Sequence, residues 1–403
     1  MGAARHRCVR RVSALAQRRA RKGVRDRSGI EGADGYRRPA RPRRRSDHRR
    51  RAGRRLPRRR RRPLYQRPDD HRRRRPLHDI VKERSVADPA TAPFAPGSVS
   101  IRIYLHDGLP APEIVRHELA QAKRAVEVGF DGVMMGEHHG GFPGYIPNTI
   151  QTAGWMLNAM PHGWVAPAPV LLPLKPWALI AEEIAWLSAA FPGRVGFGAG
   201  TGSWQADFDI MELSKDDYIE TYHRSLGLIA KALRGEAEGE FAKDWAIIHC
   251  REAPVPLVTA SATPRGVRAA AANGAGILFE SMTAPERLRE LAGKYRDAGG
   301  TGPIILIRRV WMGEGTFGRQ DKQMGVYRGY GSDTTAQYWQ GNQLINGEAD
   351  EVAERLAEAA RDVHADAINL RIQVPGVQPD EMMDQIERLG PMVAKLKAMW
   401  PWA

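Results

Sequence analysis

From residue 98 to the end of the chain, short apolar runs of strand length alternate with longer amphipathic stretches, and they do so eight times. Runs at 101–105, 132–136, 164–172, 195–199, 257–260, 277–279, 304–311 and 367–373 read as strands. Helical spacing recurs at 112–128, 149–160, 177–191, 217–233, 264–272, 285–298, 349–363 and 379–399. The first of these helices begins with Pro112 in its opening turn and stops before Gly129. Alternation of this kind predicts a parallel sheet with helical crossovers. Eight such units in about 250 residues plus insertions match a β/α barrel. The expected fold class is therefore α/β, a (β/α)8 TIM barrel, with an irregular insertion at 313–346 long enough to act as a lid. A doubly wound open sheet is the alternative, but no G-x-G-x-x-G follows the first strand.

Residues 1–97 are a different kind of polypeptide. They hold 33 Lys and Arg, 31 of them Arg, against 9 Asp and Glu, a balance of +24. The other 306 residues hold 29 basic against 37 acidic side chains, a balance of −8, so the net +16 of the whole chain belongs to its first quarter. Large apolar residues are too sparse there to offset chain entropy, so this Arg-rich segment is expected to be disordered, and 98–403 to be the folded domain. Three readings of the segment compete. One is a basic arm for nucleic acid or an acidic membrane. A second is a targeting peptide, although Arg10 and Arg11 precede an apolar run too short for an h-region. The third, and favoured, reading is that G+C-rich DNA yields such text when read upstream of the true start or out of frame.

Cys8 and Cys250 are the two cysteines, which leaves no disulfide framework and no cysteine-based metal site. No apolar run approaches the roughly 20 residues that span a membrane. A cytoplasmic protein without membrane association is the expectation.

In a β/α barrel the chemistry sits at the C-terminal ends of the strands, and four unusual stretches fall there. GEHHGG (136–141) follows the second strand. Adjacent histidines leaving a strand point in opposite directions, so a shared metal is not expected. Either a histidine caps the rim through a backbone carbonyl, or one projects into the mouth as a proton donor or acceptor, with Glu137 beside it. APAPVLLPLKPW (166–177) puts Pro167 and Pro169 where a central strand should have none, and a cis bond at Ala168–Pro169 is one of two open readings. GFGAGTGSW (196–204) has glycines that permit a flat ligand to approach Gly198, Gly200, Thr201 and Gly202, although tight turns also use glycine. TASATPRG (259–266) enters a helix with Thr263 as N-cap and Pro264 at N1. Ser261, Ala262, Thr263 and Arg265 there suit a phosphate, and ordinary capping explains them equally well.

Taken together, GFDGVMMGEHHGGFPGYIPN (129–148), PVLLPLKPWALIAEEIAWLSAAFPGRVGFGAGTGSWQADF (169–208), PLVTASATPRGVRAAAANGAGILF (256–279) and LINGEADEVAERLAEAARDVHADAINLRI (344–372) resemble the bacterial luciferase-like, flavin-dependent oxidoreductases. The resemblance runs from about residue 100 to 396 and leaves 1–97 without a counterpart. It implies a TIM barrel that binds reduced flavin at its mouth, as a homodimer. It also implies that His138 serves as acid/base and hydrogen-bond partner to the flavin, with Glu137 and His139 orienting it. The family's cis peptide under the flavin ring falls at Ala168–Pro169. The sequence departs from the luciferase catalytic chain at three positions. Gly200 replaces a reactive cysteine, Thr201 a phosphate-binding arginine, and Trp204 a flavin-contacting tyrosine. Phosphate contacts are therefore expected to shift to Ser261, Thr263 and Arg265, and light emission is not expected.

The leading expectation is a monooxygenase that takes reduced FMN from a separate flavin reductase and uses O2 on a modest apolar substrate. Phe142, Tyr145, Trp204 and Trp311 would wall the pocket. The alternative is hydride transfer with the deazaflavin coenzyme F420 and no O2. A nucleic-acid binder working through the Arg-rich segment is a third hypothesis, with no nucleic-acid role for the barrel.

Overall fold

The computed structural model describes residues 92–330, 336–340 and 343–402. The expectation of disorder for 1–97 falls almost wholly outside the described residues.

Ten strands form one sheet: β1 (Val99–Arg102), β2 (Gly132–Met135), β3 (Trp164–Pro167), β4 (Val170–Leu171), β5 (Phe197–Gly200), β6 (Leu257–Ala260), β7 (Gly276–Phe279), β8 (Ile304–Met312), β9 (Leu344–Gly347) and β10 (Ala367–Arg371). Their order is β3-β2-β1-β10-β8-β7-β6-β5-β4, and every ladder is parallel. The interrupted third strand closes the ring. β3 pairs with β2, β4 pairs with β5, and Val165 bridges to Val195. The fold is a TIM barrel of eight strand positions, with β9 as an extra strand beside the far end of β8.

The third strand breaks where its prolines remove ladder donors. The Ala168–Pro169 peptide is cis, as one of the two readings of this stretch held. Apart from the ends of β6 and β9, the other strands are buried on both faces, between the barrel interior and a layer of helices. Those helices are α1 (Ala111–Glu127), α2 (Thr149–Ala159), α3 (Trp177–Ala190), α4 (Gln205–Ile210), α5 (Tyr218–Ala232), α6 (Trp245–His249), α7 (Pro264–Ala272), α8 (Pro285–Asp297), α9 (Phe317–Tyr330), α10 (Ala349–Asp362) and α11 (Pro379–Ala398). None of the described helices is long and apolar enough to cross a membrane.

Phe94 plugs the N-terminal end of the barrel. It is 2 % exposed, and its ring meets Trp164 edge-on with centroids 5.2 Å apart. A Cβ at Gly196 would come within 2.7 Å of that ring, so glycine there makes room for the plug. The folded unit thus includes residues just before 98.

Three expectations need correction. The insertion is not irregular throughout, since it holds helix α9 and ends in β9. α9 escaped notice because FGRQDKQMGVYRGY carries no apolar stripe, and Met324 and Tyr327 are its buried apolar side chains among those described. The first strand ends at Arg102 rather than 105: Ile103 still donates to the Met134 carbonyl, but Leu105 donates instead to Gly144 in the loop after β2. Trp311 does not wall the mouth. It packs with the larger apolar cluster and lines a separate depression with Thr316, Arg319 and Glu381.

Candidate functional site

At the C-terminal mouth, Arg102, Tyr104, Glu137, His138, Tyr145, Pro169 and Leu171 face Leu278, Glu280, Ile307 and Arg371 across a cavity of about 230 Å³. Ser203, Ala260, Ser281 and Met282 complete the wall, and Tyr327 of α9 and Trp339 close it from the insertion.

The stretch after β2 splits its three ionisable side chains between two tasks. His138 Nδ1 donates to Asp207 Oδ2 at 2.7 Å, and the backbone N–H of His139 donates to Asp207 Oδ1 at 2.8 Å. Asp207 is fully buried in the first turn of α4, so one carboxylate fixes both the ring and the chain that carries it. The His138 ring stacks on Phe142 with centroids 4.5 Å apart and meets Tyr145 edge-on at 4.6 Å. Trp204 stands 6.1 Å away. Nδ1 is thus committed to Asp207, and the ring it holds lines the cavity.

Glu137 turns to the ledge beneath. Its Oε1 is 2.9 Å from His139 Nε2, and its Oε2 accepts the Leu171 N–H at 2.9 Å. Lys175 Nζ lies 3.7 Å from the same carboxylate. These contacts tie the double-histidine segment to the chain just past the cis bond. Arg102 supports that ledge from inside the barrel, donating from its guanidinium to the Ala168 carbonyl at 2.8 Å and to Asn369 at 3.0 Å. Its Nη2 is buried without a hydrogen-bond partner.

The glycine-rich stretch serves the ledge first. A Cβ at Gly198 would lie 2.4 Å from Ala168 Cβ, and one at Gly200 would lie 2.8 Å from Pro169 Cβ. Close packing of β5 under the cis corner therefore already requires those glycines. Gly202 adopts φ +63°, which suits glycine, between Thr201 and the Ser203–Trp204 segment that leads into α4. Trp204 packs against Phe142 at 4.7 Å, one of the contacts that hold His138 in an aromatic enclosure.

At the end of β6, Thr263 Oγ1 accepts the Gly266 N–H at 3.1 Å as the N-cap of α7, so the capping reading of Thr263 holds. Ser261 is buried and shares a 2.7 Å hydrogen bond with Thr259, while Ala262 is half-buried and Arg265 exposed. The expected site residues thus fall into an inner group with Glu137, His138 and Pro169, and an outer group on the β5 and β6 loops.

Several residues of the mouth went unseen in the sequence. Asp207 is one acid among several in a polar stretch. Arg102, Arg309 and Arg371 carried a usable signal, since arginine on the inner face of a buried parallel strand is out of place unless it is paired. Glu280, at the end of β7, is buried, and that burial raises its carboxyl pKa, opposed by hydrogen bonds from Thr283 and Met282.

A profile of luciferase-like monooxygenases matches residues 98–389. The chain belongs to the luciferase-like monooxygenase family. Among curated relatives, limonene 1,2-monooxygenase of Rhodococcus erythropolis is 25 % identical over 205 residues, 46 % of this chain and 49 % of the relative. An F420-dependent glucose-6-phosphate dehydrogenase of Nakamurella multipartita is 31 % identical over 184 residues, 42 % of this chain and 53 % of the relative. The chain thus spans about half the length of the curated relatives it matches. In fold it resembles the oxygenating constituent of the Pseudomonas putida 3,6-diketocamphane monooxygenase in complex with FMN, with TM-score 0.60 and 17 % identity over 74 % of this chain and 98 % of that one. Luciferase-like enzymes include both FMN-dependent monooxygenases and F420-dependent dehydrogenases, and this barrel shares their architecture.

Proposed function

We propose that this luciferase-like enzyme uses reduced FMN, delivered by a separate reductase, and O2 to oxygenate a small organic molecule at the mouth of its barrel. The observation that carries the reading is His138, pinned through Nδ1 by buried Asp207 and presented to the cavity inside a cage of Phe142, Tyr145 and Trp204. Such a ring can hold or move a proton through Nε2 where bulk water is kept out.

The residues present fit the ring of a flavin. Pro169 and Leu171 offer an apolar ledge, and the orphaned Arg102 Nη2 beside it is a donor matched to a ring edge rich in acceptors. Ala168, Gly198 and Gly200 shape that ledge from below. The phosphate end would lie outward against Thr201, Gly202, Ser261, Ala262, Thr263 and Arg265, where the first turn of α7 adds its dipole. When bound, reduced FMN supplies the electrons that activate O2. Glu137 acts here as a positioning residue, through His139 and Leu171. Tyr327 and Trp339 of the insertion cover the cavity and are the residues that would face an entering cofactor. Trp155, Leu179 and Trp186 are exposed on neighbouring helices α2 and α3, the face we assign to a second copy in a homodimer.

Hydride transfer with F420 is the second reading, favoured by the 31 % identity to an F420-dependent enzyme. Rapid mixing with O2 separates the two. The monooxygenase reading expects reduced FMN on the full chain to reoxidise more slowly than free reduced FMN, with the difference lost in His138→Ala. A chain that leaves FMN reoxidation unchanged yet saturates with reduced F420 belongs to the second reading.

A further inference from the structure

The mouth holds more positive charge than the ledge uses. Arg102, Arg309 and Arg371 all project from the inner face of their strands and are 3 %, 1 % and 6 % exposed. Arg102 has the Ala168 carbonyl and Asn369. Arg371 donates to the Tyr327 hydroxyl and lies over the Tyr104 ring at 4.3 Å, and its Nε has no hydrogen-bond partner. Arg309 is the outlier: Nε, Nη1 and Nη2 are all buried and none makes a hydrogen bond. Its guanidinium is 5.9 Å from the centroid of Tyr327, a residue of the cavity wall. It shares the inner face of β8 with Ile307, another wall residue, one step nearer the mouth.

A guanidinium stays charged in a protein, and burial beside Arg371 brings Arg309 down only to about 10. Removing such a charge from water costs several kcal/mol unless a counter-charge and hydrogen bonds replace the hydration, on the order of the penalties known for buried ions. Glu280 interacts with Arg309 electrostatically, but its carboxylate is engaged by Thr283 and Met282 and its own ionisation is disfavoured by burial. Glu137 is spent on His139, Leu171 and Lys175. The wall is therefore short of anions on one side. That side is opposite the ledge: among the eight strand positions of the ring, β8 is the seventh and the interrupted β3–β4 strand is the third.

We propose that Arg309, buried beside its strand partner Arg371 and next to Tyr327 of the cavity wall, joins Arg371 in anchoring an anionic group of the substrate, a carboxylate or a phosphate, on the side of the mouth opposite the cofactor ledge. The proposal rests on reading this mouth as the catalytic site and specifies the substrate class that site takes. Leu278, Met282, Ile307 and Trp339 line the space between, so the substrate is an acid with an apolar body. A guanidinium fork with three unused donors matches two oxygens of such a group, and the anion supplies the hydrogen bonds and charge that Arg309 lacks.

Thermal unfolding of the full chain tests this with benzoate as the carboxylate probe, phenyl phosphate as the phosphate probe and benzyl alcohol as the neutral control. One or both anions should raise the Tm of the wild type in a saturable way, benzyl alcohol should not, and whichever anion acts identifies the group. Arg309→Met should abolish the response. Without ligand it should itself melt higher, by about 2–4 °C, because an unpaired buried charge is gone. Arg309→Lys, which keeps the charge but loses the fork, should weaken the anion response by about tenfold or more. The Arg-rich segment is common to all these proteins, so the anion response that counts is the difference between the wild type and Arg309→Met.

Absence of any anion response in the wild type, or a full response in Arg309→Met, overturns the inference. So does a loss of reduced-FMN or reduced-F420 affinity in Arg309→Met with the anion response intact, since the arginine would then serve the cofactor. If the wild type binds neither cofactor yet keeps an Arg309-dependent anion response, the proposed function falls and the anion site stands.

Discussion

The most consequential single residue is Asp207, whose two oxygens hold the His138 ring and the His139 backbone at once. A carboxylate accepting from Nδ1 leaves the ring as the Nδ1–H tautomer. Asp207→Asn offers one acceptor and one donor in place of two acceptors, so the ring should lose that tautomer preference. Long-range proton–nitrogen NMR on labelled histidine checks this directly, and retention of the Nδ1–H form in the variant would refute the assigned role. A second residue-scale prediction concerns Glu118, on the inward face of α1. It is 2 % exposed, its Oε1 has no hydrogen-bond partner, and burial raises its pKa from 4.5 to about 8. Between those two values the folded state binds more protons than the unfolded state, so Glu118 makes stability fall as pH rises through that window. The slope from one such group is at most about 1.4 kcal/mol per pH unit. Glu118→Gln should flatten the stability profile between pH 5 and about 8 and be the more stable protein at the alkaline end, as read by denaturant melts at several pH values.

At the level of elements, the site depends on the break between β3 and β4 and on β5 packed beneath it. Gly198 is there because Ala168 occupies the space a side chain would need, with Cβ 2.4 Å and Cα 2.7 Å from the position a Cβ would take. Gly198→Ala should destabilise the barrel by about 1–3 kcal/mol through overpacking against backbone. That corresponds to about 2–4 °C in Tm per kcal/mol for a domain of this size, and an unchanged Tm would show that the corner can relax. The same stretch marks how far sequence reasoning reaches. The prolines at 167 and 169 announced an irregular strand end, and GEHHGG announced a histidine at the mouth, because both are residue types that a buried strand excludes. Helix α9 was missed because a helix that covers a mouth with Met324 and Tyr327 needs no continuous apolar face. Asp207 was missed because its importance comes from where α4 starts relative to β2, a tertiary relation that spacing along the chain does not encode.

For the molecule as a whole, the eightfold alternation of strands and helices was enough to specify the barrel, and the barrel in turn gathers residues far apart in sequence at one mouth. Its lower end is sealed by Phe94, which sits before the first strand and packs on Trp164. Phe94→Ala should cost about 3–5 kcal/mol, as for other large aromatic truncations in a core. A Tm unchanged by that substitution would mean that residues before 98 lie outside the folded unit. The opposite end is an enclosed mouth, with aromatic rings around His138, a cis-proline ledge, and Tyr327 and Trp339 over the cavity.

On the proposed function, this enclosed mouth is where the redox cofactor binds. An anaerobic titration of the full chain with reduced FMN, and separately with reduced F420, followed by tryptophan fluorescence, tests it most directly because Trp204 and Trp339 stand at the mouth. The same titration on Ala260→Phe, which puts a ring into the cavity from an exposed wall position on β6, supplies the control. Saturable binding of reduced FMN by the wild type, lost in a folded Ala260→Phe, is the predicted result. Binding of neither cofactor, or binding of equal strength when the cavity is filled, would contradict it.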